Sequence, residues 1–256
     1  MKGDSSMIQD FIAFDVHSHL NHGAKKETIE TPIYNPRIDW LKTKADSVNV
    51  SKMFCSTFAG VLHTDDVAEE NLYMNRLSKD NEWLYQWVVI EPRNKETYLQ
   101  ASTMLKDKKC VGIKIHPYSH NFTLSEFGDD IFSFAAEFNT TVQIHPEENI
   151  KSVVEFANKY AKMNIILAHL GSVEHVEAIF EAKNKNIYTD TSGCASTNNY
   201  VVEYAVSKIG ADRIMFGTDT YDAGFQRGRI DYALISEEDK KKILRKNAEI
   251  LFEKNL

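Results

Sequence analysis

Cysteine is nearly missing from this chain: there are three among 256 residues, Cys55, Cys110 and Cys194, and they lie far apart. An odd number at such spacing builds neither a disulfide framework nor a CxxC metal knuckle, so a reduced, cytoplasmic protein is expected. Long apolar runs are missing too. None approaches the roughly 18 residues a membrane span needs, and the opening MKGDSSMIQD holds no apolar stretch of the signal-peptide kind. Positive charge is in deficit, 30 Lys and Arg against 37 Asp and Glu, for a net charge of −7. That balance speaks against sequence-independent nucleic-acid binding and against attraction to anionic membranes. The five prolines and eleven glycines form no linker, and no low-complexity segment divides the chain. Residues 1–256 are therefore expected to form one domain. The rest of the composition, 43% hydrophobic and 26% charged, is that of an ordinary globular protein.

What is present is a repeated unit. Short apolar, β-branched runs occur at Phe11–His17, Lys52–Thr57, Leu84–Ile90, Val111–His116, Thr141–His145, Ile165–His169, Ile187–Thr191 and Arg213–Thr218. Helical patterns follow each run. Val153, Phe156, Ala157, Tyr160 and Ala161 show the spacing of one helix face. Ser236 to Asp239 reads as a capping box opening a last helix that buries Ile243, Leu244, Ala248 and Leu251. Eight strand–helix units in a chain of this size predict an α/β fold of the (β/α)8 TIM-barrel type. The rival, an open doubly wound sheet, lacks a GxGxxG after the first strand. Two connections are long, Leu20–Asn35 and Thr220–Ile235. Both follow strand C-termini, the face where barrel active sites lie.

The strand ends carry ligand chemistry. In Asp15-Val-His17-Ser-His19, alternation along a strand puts His17 and His19 on one face, with Asp15 on the same side. Two imidazoles so placed suit one borderline divalent ion. His116, His145, His169 and Asp219 end strands 4, 5, 6 and 8. Taken singly, His145 or His169 reads more plainly as a buried histidine bonded to backbone. In register with HxH and a strand-8 aspartate, ligation or catalysis is the better reading. Asp190 is balanced between support of a ligand and a structural polar group. His22, His63, His120 and His175 are expected on solvated loops or helix surfaces, with His22 and His120 kept as candidates for the barrel mouth.

DVHSHL, GIKIHP, QIHPEEN, ILAHLGS, YTDTSG, FGTDT and ILRKNAEILF together resemble the metal-dependent amidohydrolase superfamily, over nearly the whole chain. They are most similar to its amidohydrolase-related branch, which includes aminocarboxymuconate semialdehyde decarboxylase and pyrone-dicarboxylate lactonase. The resemblance implies a (β/α)8 barrel with one divalent ion, zinc first. It implies His17, His19, His145 and Asp219 as ligands and His169 as the catalytic histidine. Asp219, at the end of strand 8, is also placed to take the proton of the metal's water and return it. A deoxyribonuclease-type TatD relative would need a GE-x-GLD run near strand 4, where Gly112-Ile-Lys114-Ile-His116 stands instead.

A divalent ion lowers the pKa of its water to about 7 and polarises a carbonyl. The first expectation is therefore a hydrolase of a C–N or C–O bond (amide, lactam or lactone) in a small, carboxylated molecule. The alternative is a nonoxidative decarboxylase on the same site, and the non-enzyme reading is a metal-binding protein. Lys114, on the His116 side of its strand, should meet a carboxylate, because an unpaired buried ammonium is costly. Lys114, His116 and Arg93 are the expected substrate-binding residues. Arg227 and Arg229 are read as an anion clamp or as plain surface charge, and Tyr118 and Phe225 as pocket walls or a cap. A binuclear variant, with Lys114 carboxylated to a carbamate and His169 among the ligands, is the alternative to a single ion. The expected partner is a small molecule, not nucleic acid or membrane, and a homo-oligomer is left open.

Overall fold

The computed structural model describes residues 7–20, 33, 35, 37–146 and 150–256. Residues 21–32, with His22 and most of the first long connection, lie outside it. Eight parallel strands pair in chain order: β1 (Ala13–Leu20), β2 (Val50–Thr57), β3 (Leu84–Val89), β4 (Cys110–Ile115), β5 (Thr141–Ile144), β6 (Asn164–Leu167), β7 (Ile187–Asp190) and β8 (Ile214–Met215). Helices α1 (Ile38–Ser47), α2 (Phe58–Leu62), α3 (Val67–Asp80), α4 (Lys95–Met104), α5 (Pro117–His120), α6 (Leu124–Glu137), α7 (Ile150–Lys159), α8 (Val173–Glu181), α9 (Val201–Ile209), α10 (Ala223–Asp231), α11 (Glu237–Lys241) and α12 (Asn247–Leu251) surround them. This is the (β/α)8 barrel that the repeated unit predicts. No helix among the described residues is long and apolar enough to cross a membrane.

Two apolar layers hold the barrel. Outward strand residues such as Ile113, Val142, Ile165 and Leu167 pack under the helices. Inside, Phe14, Phe54, Trp87, Ile166 and Met215 fill the floor, and Phe252, just past α12, closes it from below. The Phe252 ring meets Phe54 edge-on at 5.0 Å and Trp87 at 5.7 Å. Gly112 makes room for that indole, since a Cβ there would lie 2.6 Å from the Trp87 ring. The barrel is thus a packed core whose open end is the C-terminal face.

β1 departs from simple alternation. A register shift between Asp15 and Ser18 interrupts its pairing with β2. There the Val16 carbonyl accepts from the buried side chains Trp87 Nε1 (3.0 Å) and Gln143 Nε2 (3.2 Å). Phe14 and Val16 belong to the floor, yet His17 and His19 also face inward, two odd positions after two even ones. A bulge re-aims side chains in this way. Asp15, expected on the His17 side, instead lines a cavity outside the barrel with Leu41, Ala45 and Met53. Its carboxylate accepts from His17 N (3.1 Å), Thr218 N (3.0 Å) and Thr218 Oγ1 (2.6 Å), and so fixes the bulge.

β8 is shorter than its apolar run predicts. Phe216 N donates to Ile243 O (2.9 Å) in the π-helical turn Lys242–Lys246, which joins α11 to α12. The seam to β1 is closed by Val16 N on Phe216 O (3.0 Å) and by Thr218 N and Asp219 N on His17 O (3.1 and 2.7 Å). The segment expected as a long connection after β8 contains α10.

Candidate metal centre

His17 Nδ1 donates to Asp190 Oδ2 (3.0 Å), which leaves Nε2 with its lone pair turned into the barrel. His17 Nε2 lies 3.1 Å from His19 Nε2 and 3.5 Å from Asp219 Oδ1, and His19 Nε2 is 3.2 Å from the same oxygen. Ser56 Oγ sits 2.9 Å from His19 Nδ1 and can accept its proton. Burial pushes His17 down to about 3, with the Lys114 charge adding to it, and burial also lowers His19. Both rings are therefore neutral donors. Burial alone would raise the Asp219 carboxyl. The neighbouring His19, His17 and His169 outweigh it and hold the group well below the usual carboxylate range. Two neutral imidazole nitrogens and a carboxylate oxygen, all within 4.8 Å of one another, repel unless a cation lies among them. The donor set fits a borderline divalent ion.

The backbone at the centre is strained. Asp219 and Thr220 have φ of 55° and 64°, and His169 also has 64°. For a β-branched residue this is a true outlier. Thr220 is held there by its hydroxyl, which accepts from His19 N (2.5 Å) and donates to His19 O (2.5 Å). Strain of this kind persists only where neighbours over-determine it. Here it carries Asp219 back over the HxH pair.

Behind His17 stands a network built on Asp190 and on Ser192, a residue the sequence does not single out. Ser192 Oγ donates to Asp190 Oδ1 and lies 2.9 Å from His17 Nδ1 and 3.0 Å from His169 Nδ1. Ser192 N also donates to Asp190 Oδ1 (3.0 Å). Asp190 thus supports the His17 ring directly and the His169 ring through Ser192, in line with the first of its two expected readings. Neighbouring charge and hydrogen bonds overcome its burial and keep its carboxyl well below the usual range. Serine has no diagnostic pattern in a sequence; its place two residues after Asp190 in YTDTSG is the one signal that could have found it.

Lys114 is 1% exposed and its Nζ lies 3.1 Å from His17 Nε2. No carboxylate of the described residues pairs with it directly, although Asp219 and Asp190 act on it through space. Burial pushes it down to about 8. His116 and His145 stack at 4.0 Å, and His145 meets His169 edge-on at 5.1 Å. Burial takes His116 down to about 2 and His145 to about 4. The structure thus brings His17, His19 and Asp219 into one cluster, with His145 and His169 beside it. His145 Nδ1 is buried without a hydrogen-bond partner among the described residues.

Other expectations are corrected. Arg227 is neither clamp nor surface charge. It is buried, pairs with Asp231 (3.2 Å) and donates to the carbonyls of Ile8, Phe11 and Val48. Arg229 is spent on the carbonyls of Cys194, Ala195 and Asn198. Arg93 lies on the rim, where Nε and Nη2 hold Glu91 and Nη2 also holds the His120 carbonyl. His120 is fully buried, not solvated, because its Nε2 donates to Gly60 O (3.1 Å) and ties α5 to α2. His175 is buried as well, with Nδ1 against Ser172 Oγ (3.0 Å) at the start of α8. His63 is exposed as expected. Tyr118, 85% exposed, walls nothing, and Phe225 lies under the Arg229 guanidinium on the outer surface.

A family model described as Amidohydrolase matches residues 15–254. A gamma-resorcylate decarboxylase from Polaromonas sp. is 33% identical over 126 residues. That match takes in 38% of this chain and about a third, 36%, of that protein's length. Among solved structures, a dihydroxybenzoic acid decarboxylase from Polaromonas sp., with bound manganese and 2-nitroresorcinol, is similar with a TM-score of 0.72. It is 15% identical, and the likeness covers 96% of this chain and 98% of that one. A probable 2-pyrone-4,6-dicarboxylic acid hydrolase from Acinetobacter baumannii, with citric acid bound, reaches 0.65 at 16% identity, over 94% and 99% of the two chains. At such identities the two structures speak for the fold alone.

Proposed function

The chain belongs to the amidohydrolase family, and on that premise we propose that it is a metal-dependent nonoxidative decarboxylase of a small hydroxylated aromatic acid. The observation that carries the reading is the 33% identity to gamma-resorcylate decarboxylase. The decarboxylase, second in the reading of the sequence, fits the similar proteins better than the hydrolase does. The hydrolase keeps a place because one similar structure is a probable pyrone-dicarboxylic acid hydrolase.

His17, His19 and Asp219 would hold the ion, with His145 as the further donor. When bound, the ion supplies Lewis acidity to the substrate's oxygens. Nitrogen and oxygen donors accept zinc as well as manganese, and reconstitution with each, read by turnover, ranks them. Lys114, the buried cation of the site, pairs with the substrate carboxylate. Arg93 meets the substrate at the rim, and the stacked His116 and His145 rings offer a flat, neutral wall.

Asp219 carries the proton. Its Oδ1 faces His17 and His19, and its Oδ2 lies 4.0 Å from His169 Nε2. Held as a carboxylate, it takes the proton of a ring hydroxyl next to the substrate carboxylate. It then gives that proton to the ring carbon bearing the carboxylate, while the phenolate electron pair moves into the ring. The carbon–carbon bond breaks, its electrons restore aromaticity, carbon dioxide leaves, and the phenolate takes a proton from water. Positioned acid–base groups of this kind contribute about 10²–10⁴-fold.

The test is product analysis on 2,6-dihydroxybenzoate, 2-hydroxybenzoate, lactones and cyclic amides. Carbon dioxide with an intact ring is the expected outcome. Ring opening of a lactone or amide without carbon dioxide would return the reading to hydrolysis.

A further inference from the structure

His169 faces the centre with one nitrogen and the Asp190–Ser192 pair with the other. Asp190 accepts from Ser192 N and from Ser192 Oγ, so the only proton on that hydroxyl is already committed. The oxygen then has only lone pairs left for the two rings beside it, His17 Nδ1 and His169 Nδ1. The Ser192 carbonyl is a second acceptor, 3.2 Å from His169 Nδ1. His169 Nδ1 therefore lies between two acceptors and must carry the ring's proton. The seat is shaped for this ring. Gly193 adopts a φ of 60°, and a Cβ there would stand 2.7 Å from His169 Nδ1. On the other side of the ring, Nε2 looks across 4.0 Å at Asp219 Oδ2. That gap is too long for a direct hydrogen bond, and both ends are lone pairs.

We propose that Asp190, acting through the Ser192 hydroxyl, is a positioning residue that fixes the tautomer of His169 together with that of His17, leaving His169 Nε2 as an acceptor aimed at a hydroxyl of the substrate. A group entering between His169 and Asp219 must bring a hydrogen. A free ring hydroxyl does so, its one hydrogen pointing to His169 Nε2 in the bound acid and turning to Asp219 when the proton is taken, whereas an ether oxygen or a bare C–H leaves Nε2 unsatisfied. The proposal rests on the aromatic-acid reading for the ring that carries the hydroxyl. The tautomer itself does not depend on that reading.

Two experiments separate the two ideas. In the metal-free protein, nitrogen NMR of the histidine rings, assigned by loss of signal in His169→Asn, should show His169 protonated at Nδ1 and bare at Nε2. In Asp190→Asn, whose amide can donate to Ser192 Oγ and reverse the chain, the His169 proton should move wholly or partly to Nε2. A wild-type Nε2–H, or a tautomer indifferent to Asp190→Asn in a folded variant, overturns the proposal. In the zinc-loaded protein, calorimetry compares 2-hydroxybenzoate with benzoate. One hydrogen bond to His169 contributes about 3–10-fold to that preference. His169→Ala should lose this factor, and His169→Gln, which keeps an acceptor near the Nε2 position, should retain part of it. An unchanged preference in His169→Ala overturns the proposal. If neither acid binds although the tautomer is as expected, the aromatic-acid reading falls and the hydroxyl contact falls with it.

Discussion

His17 is the residue on which the centre turns. Asp190 takes one of its nitrogens, and His19, Asp219 and Lys114 crowd the other. On the proposed assignment, removing it takes away a donor atom, whereas removing His169 takes away a group that meets the reacting molecule. Elemental analysis beside kinetics distinguishes these roles. About one ion per chain is expected in the wild type and in His169→Asn, with turnover lost in the latter, and near none in His17→Ala. Two ions per chain, with the mass of a carboxylate added at Lys114, would move His169 into the ligand set. Much of this was legible. The HxH pair, His145, His169, Lys114 and Asp219 stand at strand ends, where the barrel predicts convergence. Ser192 and Gly193 were not, because a hydroxyl that fixes a tautomer and a glycine that makes room for a ring have no periodicity. Arg227 was misread because it folds back onto backbone carbonyls, which only the tertiary structure brings near.

Among the elements, β1 and β8 set the site's geometry. All eight strands were visible as apolar runs, since each is buried on both faces over most of its length. The bulge in β1 and the shortening of β8 were not, because both come from bonds to distant parts: Trp87 and Gln143 on Val16 O, and Ile243 O on Phe216 N. Thr220 is the clasp between the two strands, through both hydrogen bonds to the His19 backbone. Thr220→Val keeps the shape and removes both. Leaving the buried His19 amide without a partner should cost about 1–3 kcal/mol of stability. With Asp219 and His19 loosened together, metal affinity should fall as well. Denaturant unfolding and metal titration of the variant measure both. An unchanged metal affinity would show that the strained turn is not what presents Asp219.

For the whole molecule, the buried imidazoles set the response to acid. Burial holds His17, His116 and His145 at about 3, 2 and 4 in the folded protein, while in the unfolded chain each takes a proton near 6.5. Below that pH the unfolded state binds protons the folded state refuses, so stability falls as pH falls. Asp15 acts in the opposite sense. Burial raises it from 3.8 to about 7, so its contribution is full below 3.8 and is lost as pH rises through 7. Three imidazoles outweigh one carboxyl, and the melting temperature of the metal-free protein should drop between pH 6.5 and 4. A flat profile there would mean that the three rings are solvated.

The central claim, that Asp219 returns a proton to the carbon that loses carbon dioxide, has a direct measurement. The metal-loaded protein is given 2,6-dihydroxybenzoate in deuterated water, and the product is read by proton NMR and mass spectrometry. Resorcinol carrying one deuterium between its two hydroxyls, with carbon dioxide released, is expected from the wild type and not from Asp219→Asn. Unchanged dihydroxybenzoate, beside ring opening of 2-pyrone-4,6-dicarboxylate without carbon dioxide, would contradict it.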